Sequence, residues 1–388
     1  MKKGWEIKKL GELSVVFEDG DWIESKDQSI EGVRLIQTGN IGNGFFKDRG
    51  EKARYISENT FKRLRCTEIF EDDCLISRLP DPVGRACVLP NTGEKMITAV
   101  DCTIIRFDKK KLMSEWFLLY SLSQEYQNEV NKEVSGATRQ RISRKNLGLI
   151  EIPLPPLPEQ QRIVAILDEA FAAIDKAKAN AQQNLQNAKE LFESYLQGVF
   201  ENKGDGWEEK NLEECFRLKS GDGLTSKMMS DDGNYPVFGG NGIAGLHNEF
   251  NLSGSNVIVG RVGALCGNVR HITEKIWLTD NAFKIVDMNY EFDDSFLTYL
   301  LNFKVLRGYA RQAAQPVISN SSLKDVVLNF PKSLKTQQTI VQKLDALNAE
   351  TKKLESIYQQ KIKDLEELKK SVLQKAFSGE LKTVRGEV

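Results

Sequence analysis

The sequence predicts an α+β fold built twice: two similar α/β globular regions separated by two long antiparallel helices in a coiled coil, a pseudo-twofold tandem duplication. Three observations predict it. Segments recur in the same order along the chain, short β-branched runs alternate with turn-rich stretches, and two long stretches carry a heptad-like apolar spacing.

The recurrence comes first along the chain. Gly4-Trp5-Glu6, followed by Lys8 and Leu10, returns as Gly206-Trp207-Glu208, Lys210 and Leu212. Phe117-Leu-Leu-Tyr120 returns as Phe296-Leu-Thr-Tyr299, and Gln160-Gln161 with Ile163, Val164, Leu167 and Asp168 as Gln337-Gln338 with Ile340, Val341, Leu344 and Asp345. The offset falls from 202 to 179 to 177, so the halves match in order while their loops differ in length.

The first globular region spans 1–157 and the second 203–331. Both mix runs such as Asp73-Cys-Leu-Ile-Ser77 and Ser255-Asn-Val-Ile-Val259 with Gly/Asn/Asp turns and one helical stretch. Pro155, Pro156 and Pro158 close the first region, Pro158 standing where an opening helical turn tolerates proline. The first long helix is expected within 158–202, with core positions at Ile163, Leu167, Ala170, Ile174, Ala177, Ala181, Asn184, Ala188, Leu191 and Tyr195. The second is expected within 332–388, a span that includes the C-terminal tail. Its core positions are Ile340, Leu344, Leu347, Thr351, Leu354, Tyr358, Lys361, Leu365, Leu368 and Val372. Steps of four and three alternate, the 3.5-residue period of a coiled-coil seam. Each helix would be ~60 Å long and would hold the two heads about that far apart. A chain that returns to its start after a second head favours the antiparallel arrangement.

Composition narrows the function. The chain has 388 residues, 54 basic and 55 acidic, with no apolar run long enough to cross a membrane. The opening MKKGWEIKKLGEL lacks the apolar segment of a signal peptide, so a cytoplasmic protein is expected. Cys66, Cys74, Cys87, Cys102, Cys215 and Cys266 never fall in CxxC spacing, and only His247 and His271 could join them at a metal. Reduced thiols and no metal site are expected. Gly240-Asn-Gly242-Ile-Ala-Gly245 spells a dinucleotide fingerprint, but turn residues follow it and no acidic residue stands near position 265. With no phosphate-binding loop and no recognisable nucleophile, the chain is not expected to be an enzyme or to hold a cofactor of its own.

What remains is a set of Gly-rich loops carrying Arg, Asn and Gln, aligned between the halves. Gln37, Thr38 and Asn40, then Arg78 and Arg85, then Arg139 and Arg141 mark the first half. Asn241, then Arg261 and Asn268, then Arg311 and Gln315 mark the second. Forked donors and acceptors of these types match purine edges in the major groove. Arg78, Arg85, Arg261, Asn40, Asn241 and Asn268 are candidates for base edges; Arg139, Arg141 and Arg311 for phosphates. Residues 1–158 hold 25 basic and 24 acidic residues and 203–331 hold 13 and 16, so only Arg139–Lys145, four basic residues in seven, is a conspicuous phosphate site. Modest intrinsic affinity for DNA is expected, with a partner adding contacts.

The chain resembles type I restriction–modification specificity subunits over nearly its whole length. The resemblance rests on the Gly-Trp-Glu openings, Thr38-Gly-Asn-Ile41, Tyr235-Pro-Val-Phe-Gly-Gly-Asn-Gly242, Gly260-Arg-Val-Gly-Ala-Leu-Cys-Gly-Asn268 and Ile152-Pro-Leu-Pro-Pro-Leu-Pro-Glu-Gln-Gln-Arg-Ile163. It implies two target-recognition domains, each reading one half of a bipartite, asymmetric site in double-stranded DNA. It also implies helices that set the spacing and dock two methyltransferase subunits, to which endonuclease/translocase subunits add. S-adenosylmethionine, ATP and Mg would belong to those partners. Gln160, Gln161, Gln337 and Gln338, on helix faces expected to be exposed, are the docking candidates. A coiled-coil interaction protein without DNA readout and a self-sufficient enzyme with unfamiliar motifs are the alternatives.

Overall fold

The computed structural model describes residues 4–202, 204–311 and 315–381; Gln312 in the last loop and the 382–388 part of the tail lie outside the described residues. Two compact units emerge, one made of 1–181 with 360–388 and the other of 182–359, so each takes a portion of both long helices.

In the first unit a two-stranded sheet pairs β1 (Glu6–Lys9) with β10 (Glu151–Leu154). A four-stranded antiparallel sheet follows the order β2 (Ser14–Asp19), β9 (Cys102–Phe107), β6 (Cys74–Ser77), β7 (Ala86–Val88). A second sheet runs β3 (Gln28–Ser29), β5 (Arg54–Ile56), β4 (Val33–Ile36), β8 (Met96–Thr98), with β4 and β8 parallel. The second unit repeats this plan. β11 (Trp207–Asn211) pairs with β19 (Val327–Pro331), and the large sheet runs β12 (Arg217–Ser220), β18 (Ala282–Val286), β15 (Asn256–Gly260), β16 (Val269–Ile272). The third sheet is β14 (Gly242–His247), β13 (Tyr235–Gly239), β17 (Trp277–Leu278), with β13 and β17 parallel.

The duplication extends to single hydrogen bonds. Gly20 N–H donates to Cys102 O as Gly221 N–H does to Ala282 O, and Asp21 N–H to Thr98 O as Asp222 N–H to Leu278 O. Both glycines are required by close approach: a Cβ at Gly20 would stand 2.4 Å from Ala99 O, and one at Gly221 2.1 Å from Leu278 O.

Each main core takes in the start of one long helix and the end of the other. In the first unit Ile163 and Leu167 share a cluster with Leu373, Ala376 and Phe377, and Phe377 packs edge-on against Trp116 and Tyr120. In the second, Val341 and Leu344 share one with Phe200, which contacts Phe296 and Phe303. The helices, Leu157–Glu201 and Leu334–Phe377, are antiparallel: Lys178 pairs with Glu366 at 2.6 Å and Asp175 with Lys369 at 2.9 Å. These ion pairs are exposed, so packing carries the association.

The seam corrects the expected heptad. Asn184, Leu191, Tyr195, Leu354, Lys361 and Leu368 face solvent. The covered positions instead run Ala177, Ala181, Leu185, Ala188, Phe192 in the first helix and Leu347, Thr351, Glu355, Tyr358, Ile362 in the second. Each line contains two successive steps of four. That relaxes the strict 3.5-residue repeat toward the 3.6 of an unstrained α-helix and rotates the later heptad positions outward.

Gln160 and Gln337, expected on exposed faces, are fully buried. Gln160 Oε1 accepts from Met113 N–H at 2.9 Å, while its Nε2 donates to Lys111 O and Pro155 O, both at 2.8 Å. Gln337 repeats this with Asp293 N–H (2.8 Å), Glu291 O (3.1 Å) and Pro331 O (3.0 Å). Met113 and Asp293 are the N-cap residues of the helices Ser114–Ser121 and Asp294–Phe303. One amide therefore ties the long helix, the segment leading into it and the head's own helix together. Gln161 and Gln338 are exposed. Removing a buried amide strands one donor and two carbonyls, so Gln160→Ala and Gln337→Ala should each lower unfolding free energy by roughly 1–3 kcal/mol. Gln161→Ala should stay within about 0.5 kcal/mol. Chemical denaturation checks this, and equal effects at Gln160 and Gln161 would contradict the lock.

Candidate nucleic-acid interface

In the first half the marked loops converge through arginine, but the arginines themselves are occupied. Arg85 is buried, its Nε donating to Ile41 O at 2.8 Å. Its Nη1 donates to Leu79 O (2.7 Å) and Pro82 O (3.0 Å), and its Nη2 to Thr38 O (2.9 Å). All three nitrogens hold backbone carbonyls of the 38–41 and 79–82 loops, so none is free for a base edge. Arg78 is also buried; it donates to Val100 O and lies 3.4 Å from an Asp19 carboxylate oxygen. Burial draws both guanidinium groups below the usual arginine range, though they stay charged. Asn40 is likewise occupied: Oδ1 accepts from Gln37 N–H and Nδ2 donates to Lys47 O, each at 3.0 Å. These are corrections to the candidate base readers. The same forked geometry that suits a purine edge also satisfies the carbonyls of a tight loop.

The exposed groups of this half lie beside that frame. Asp101 accepts Arg78 N–H through its backbone oxygen, and its carboxylate draws Arg141 to 3.2 Å and Arg139 to 3.7 Å. Ile142 N–H donates to Arg78 O. Arg139 and Arg141 thus project next to the 78–85 loop, exposed and with one shared carboxylate between them. Gln37 and Thr38 are half-buried at the start of the 38–41 turn.

The second half keeps the frame and changes the side chains. Arg261 N–H donates to Asn281 O at 2.9 Å and Ile318 N–H to Arg261 O at 3.0 Å, matching Arg78 with Asp101 and Ile142. Arg261 is half-buried, donating through Nη1 to Ser220 Oγ (3.3 Å) and Asp280 O (3.2 Å) and lying over the Phe283 ring. Like Arg78, its Nε is buried without a hydrogen-bond partner among the described residues. Where the first half has Arg85, the second has exposed Asn268: Gly260 N–H donates to Asn268 O as Ser77 N–H does to Arg85 O. Asn241 is exposed, with Oδ1 accepting from Leu265 N–H at 2.9 Å. A cleft of about 280 Å³ brings Gly240, Asn241, Val262, Asn281 and Gln315 together. Arg311 is exposed at a bridge to Val317.

The Gly240-x-Gly242 string is a hairpin turn between β13 and β14, running into a strand rather than a helix. The hairpin also exposes Ile243, and the first half exposes Trp22 and Phe45. An apolar residue reads as core in a sequence; only the strand's facing shows otherwise. Arg270, half-buried on β16 beside this turn, is a further candidate that no motif marks, because it sits in a strand rather than in a glycine-rich loop.

The chain is 24% identical to the type I restriction enzyme EcoKI specificity subunit of Escherichia coli (strain K12), with 98% of this chain and 90% of that one covered. It is 29% identical to the EcoprrI specificity subunit of Escherichia coli, where the match covers 54% of each, so the chain spans about half the length of that relative. Among solved structures, the HsdS subunit from Thermoanaerobacter tengcongensis aligns with a TM-score of 0.65 at 18% identity over 98% of both chains. A chain from work on complex assembly and conformational transition of the type I R-M system aligns at 0.78, also 18% identical, over 98% and 99%. Residues 2–185 and 204–364 each match the type I restriction modification DNA specificity domain, and the chain belongs to that family.

Proposed function

We propose that this chain is the DNA-reading, non-catalytic subunit of a type I restriction–modification complex, each head reading one half of a bipartite, asymmetric site in double-stranded DNA. The observation that carries this reading is the repeated hydrogen-bonded frame presenting different groups at matched places: buried Arg85 gives way to exposed Asn268, and the loop after β4 to a glycine hairpin. One scaffold presenting two chemistries is what two dissimilar half-sites require. The antiparallel helices would fix the gap between half-sites, much as module spacing does in other two-headed readers. Two methyltransferase subunits would dock on exposed helix faces, Gln161 and Gln338 among them, and endonuclease/translocase subunits would add to those. S-adenosylmethionine, ATP and Mg would act on these partners, in the cytoplasm.

Sequencing methylated positions in DNA exposed to the reconstituted methyltransferase complex tests the reading. It predicts two unlike half-sites at one fixed gap; methylation without such a pattern, or a complex that ignores DNA as a plain coiled-coil adaptor would, contradicts it. Within the first head, Arg139→Ala and Arg141→Ala should each weaken binding evenly across sequences and lower the salt slope by about one, leaving stability within about 0.5 kcal/mol. Arg85→Ala should instead destabilise the first unit by roughly 1.5–3 kcal/mol, because it removes charged bonds to four carbonyls. Salt-dependent binding and thermal melts separate the two classes.

A further inference from the structure

Beside the β13–β14 turn lies a second concavity of about 610 Å³, lined by Phe238, Asn241, Gly242, Ile243, Arg270 and their β16 neighbours. Arg270 is half-buried on the edge strand β16, and its side chain makes no hydrogen bond or ion pair with the described residues. That separates it from Arg78, Arg85 and Arg261, whose guanidinium groups hold loop carbonyls.

Its neighbours explain how it stays in place. The Gly242 backbone has a φ of +104°, which favours glycine, and a Cβ there would stand 3.2 Å from Arg270 Nη2, so the guanidinium lies close against the turn. Asn241, one residue earlier, has its Oδ1 taken by Leu265 N–H and its exposed amide at the same concavity.

The duplicated frame shows that folding does not call for an arginine here. Arg270 pairs with Ile258 on the face that covers the small core of Phe238, Ile258 and Leu278. At the equivalent place in the first half, Cys87 pairs with Leu75 and is fully buried in the matching core. An apolar side chain closes that core in one head; in the other stands a forked cation with no partner among the described residues. Buried cations are ordinarily paired, and this half-buried one lines a concavity instead.

We propose that Arg270, laid against Gly242 and flanked by Asn241, is a guanine-reading residue of the second head, donating to the O6/N7 edge of one base. The assignment rests on the DNA-reading function above and adds the residue and the base class. Bidentate Arg to guanine is the pairing that this planar fork best satisfies.

The test uses the complete chain in complex with its methyltransferase subunits, comparing wild type, Arg270→Ala and Arg270→Gln on a randomised duplex library read by methylation sequencing. Arg270→Ala should relax one guanine position in one half-site by roughly 5- to 150-fold, with the other half-site and the gap unchanged. Arg270→Gln, whose amide fits adenine, should move that position toward adenine. Wild-type half-sites retained in both variants would overturn the assignment of Arg270 alone. A uniform loss with unchanged preference would make it a phosphate contact and overturn guanine reading. A wild-type complex that shows no bipartite preference would instead overturn the recognition reading on which this rests. Unchanged melting temperatures and co-purification with the methyltransferase subunits tie each result to readout rather than folding.

Discussion

A long helix attached to a globular head can swing about its first turn unless something polar and buried fixes that turn. In both halves one glutamine does so. The Gln160 and Gln337 amides each satisfy a carbonyl of the segment leading into the helix, a carbonyl of the head and the N-cap N–H of the head's own helix. A side chain with a donor pair and an acceptor is needed there; leucine would fill the space and leave three backbone groups unsatisfied. Around this polar joint the apolar clusters close, taking in the beginning of one helix and the end of the other. The orientation of each head on its helices depends on that combination: packing supplies the energy, and the amide supplies the register.

Given that joint, duplication explains most of the remaining architecture. The order of the large sheets is the same in both halves, and so are the glycines that let loop backbone press against the parallel strand's end. Divergence shows in the third sheet, four strands in the first half and three in the second, and in what the frame presents. The first head uses buried arginines to tie its loops shut and exposes Arg139 and Arg141 at their edge. The second has two clefts that share Asn241 and Gly242, and at one of them an Arg270 side chain with no partner among the described residues. A shared scaffold holding unlike surfaces is a direct route to reading an asymmetric site.

The sequence made the duplication, the head–helix order and the antiparallel pairing legible, because repeats and apolar period survive in one dimension. It also placed the loops that converge, through the alignment of Arg78 with Arg261. It misassigned what several of those residues do. Arg85 and Asn40 carry donors suited to a base edge, but tight turns have unsatisfied carbonyls of their own, and nothing in the one-dimensional pattern says which demand is met first. Gln160 and Gln337 look like surface residues by type, and their burial follows only from the partner groups that folding brings to them. The strict heptad failed for a similar reason: a helix nearly 45 residues long drifts against a 3.5-residue repeat, and the burial line follows the helix rather than the template.

If, as proposed, the helix pair sets the gap between the two half-sites, lengthening both helices should change the gap and nothing else. Four residues inserted after Ala181, with four more in the facing stretch of the second helix, test it when the methylated sites of the complex are mapped. The account predicts the original two half-sites at a longer gap. The original gap retained by the lengthened chain, or a changed half-site sequence, would contradict it.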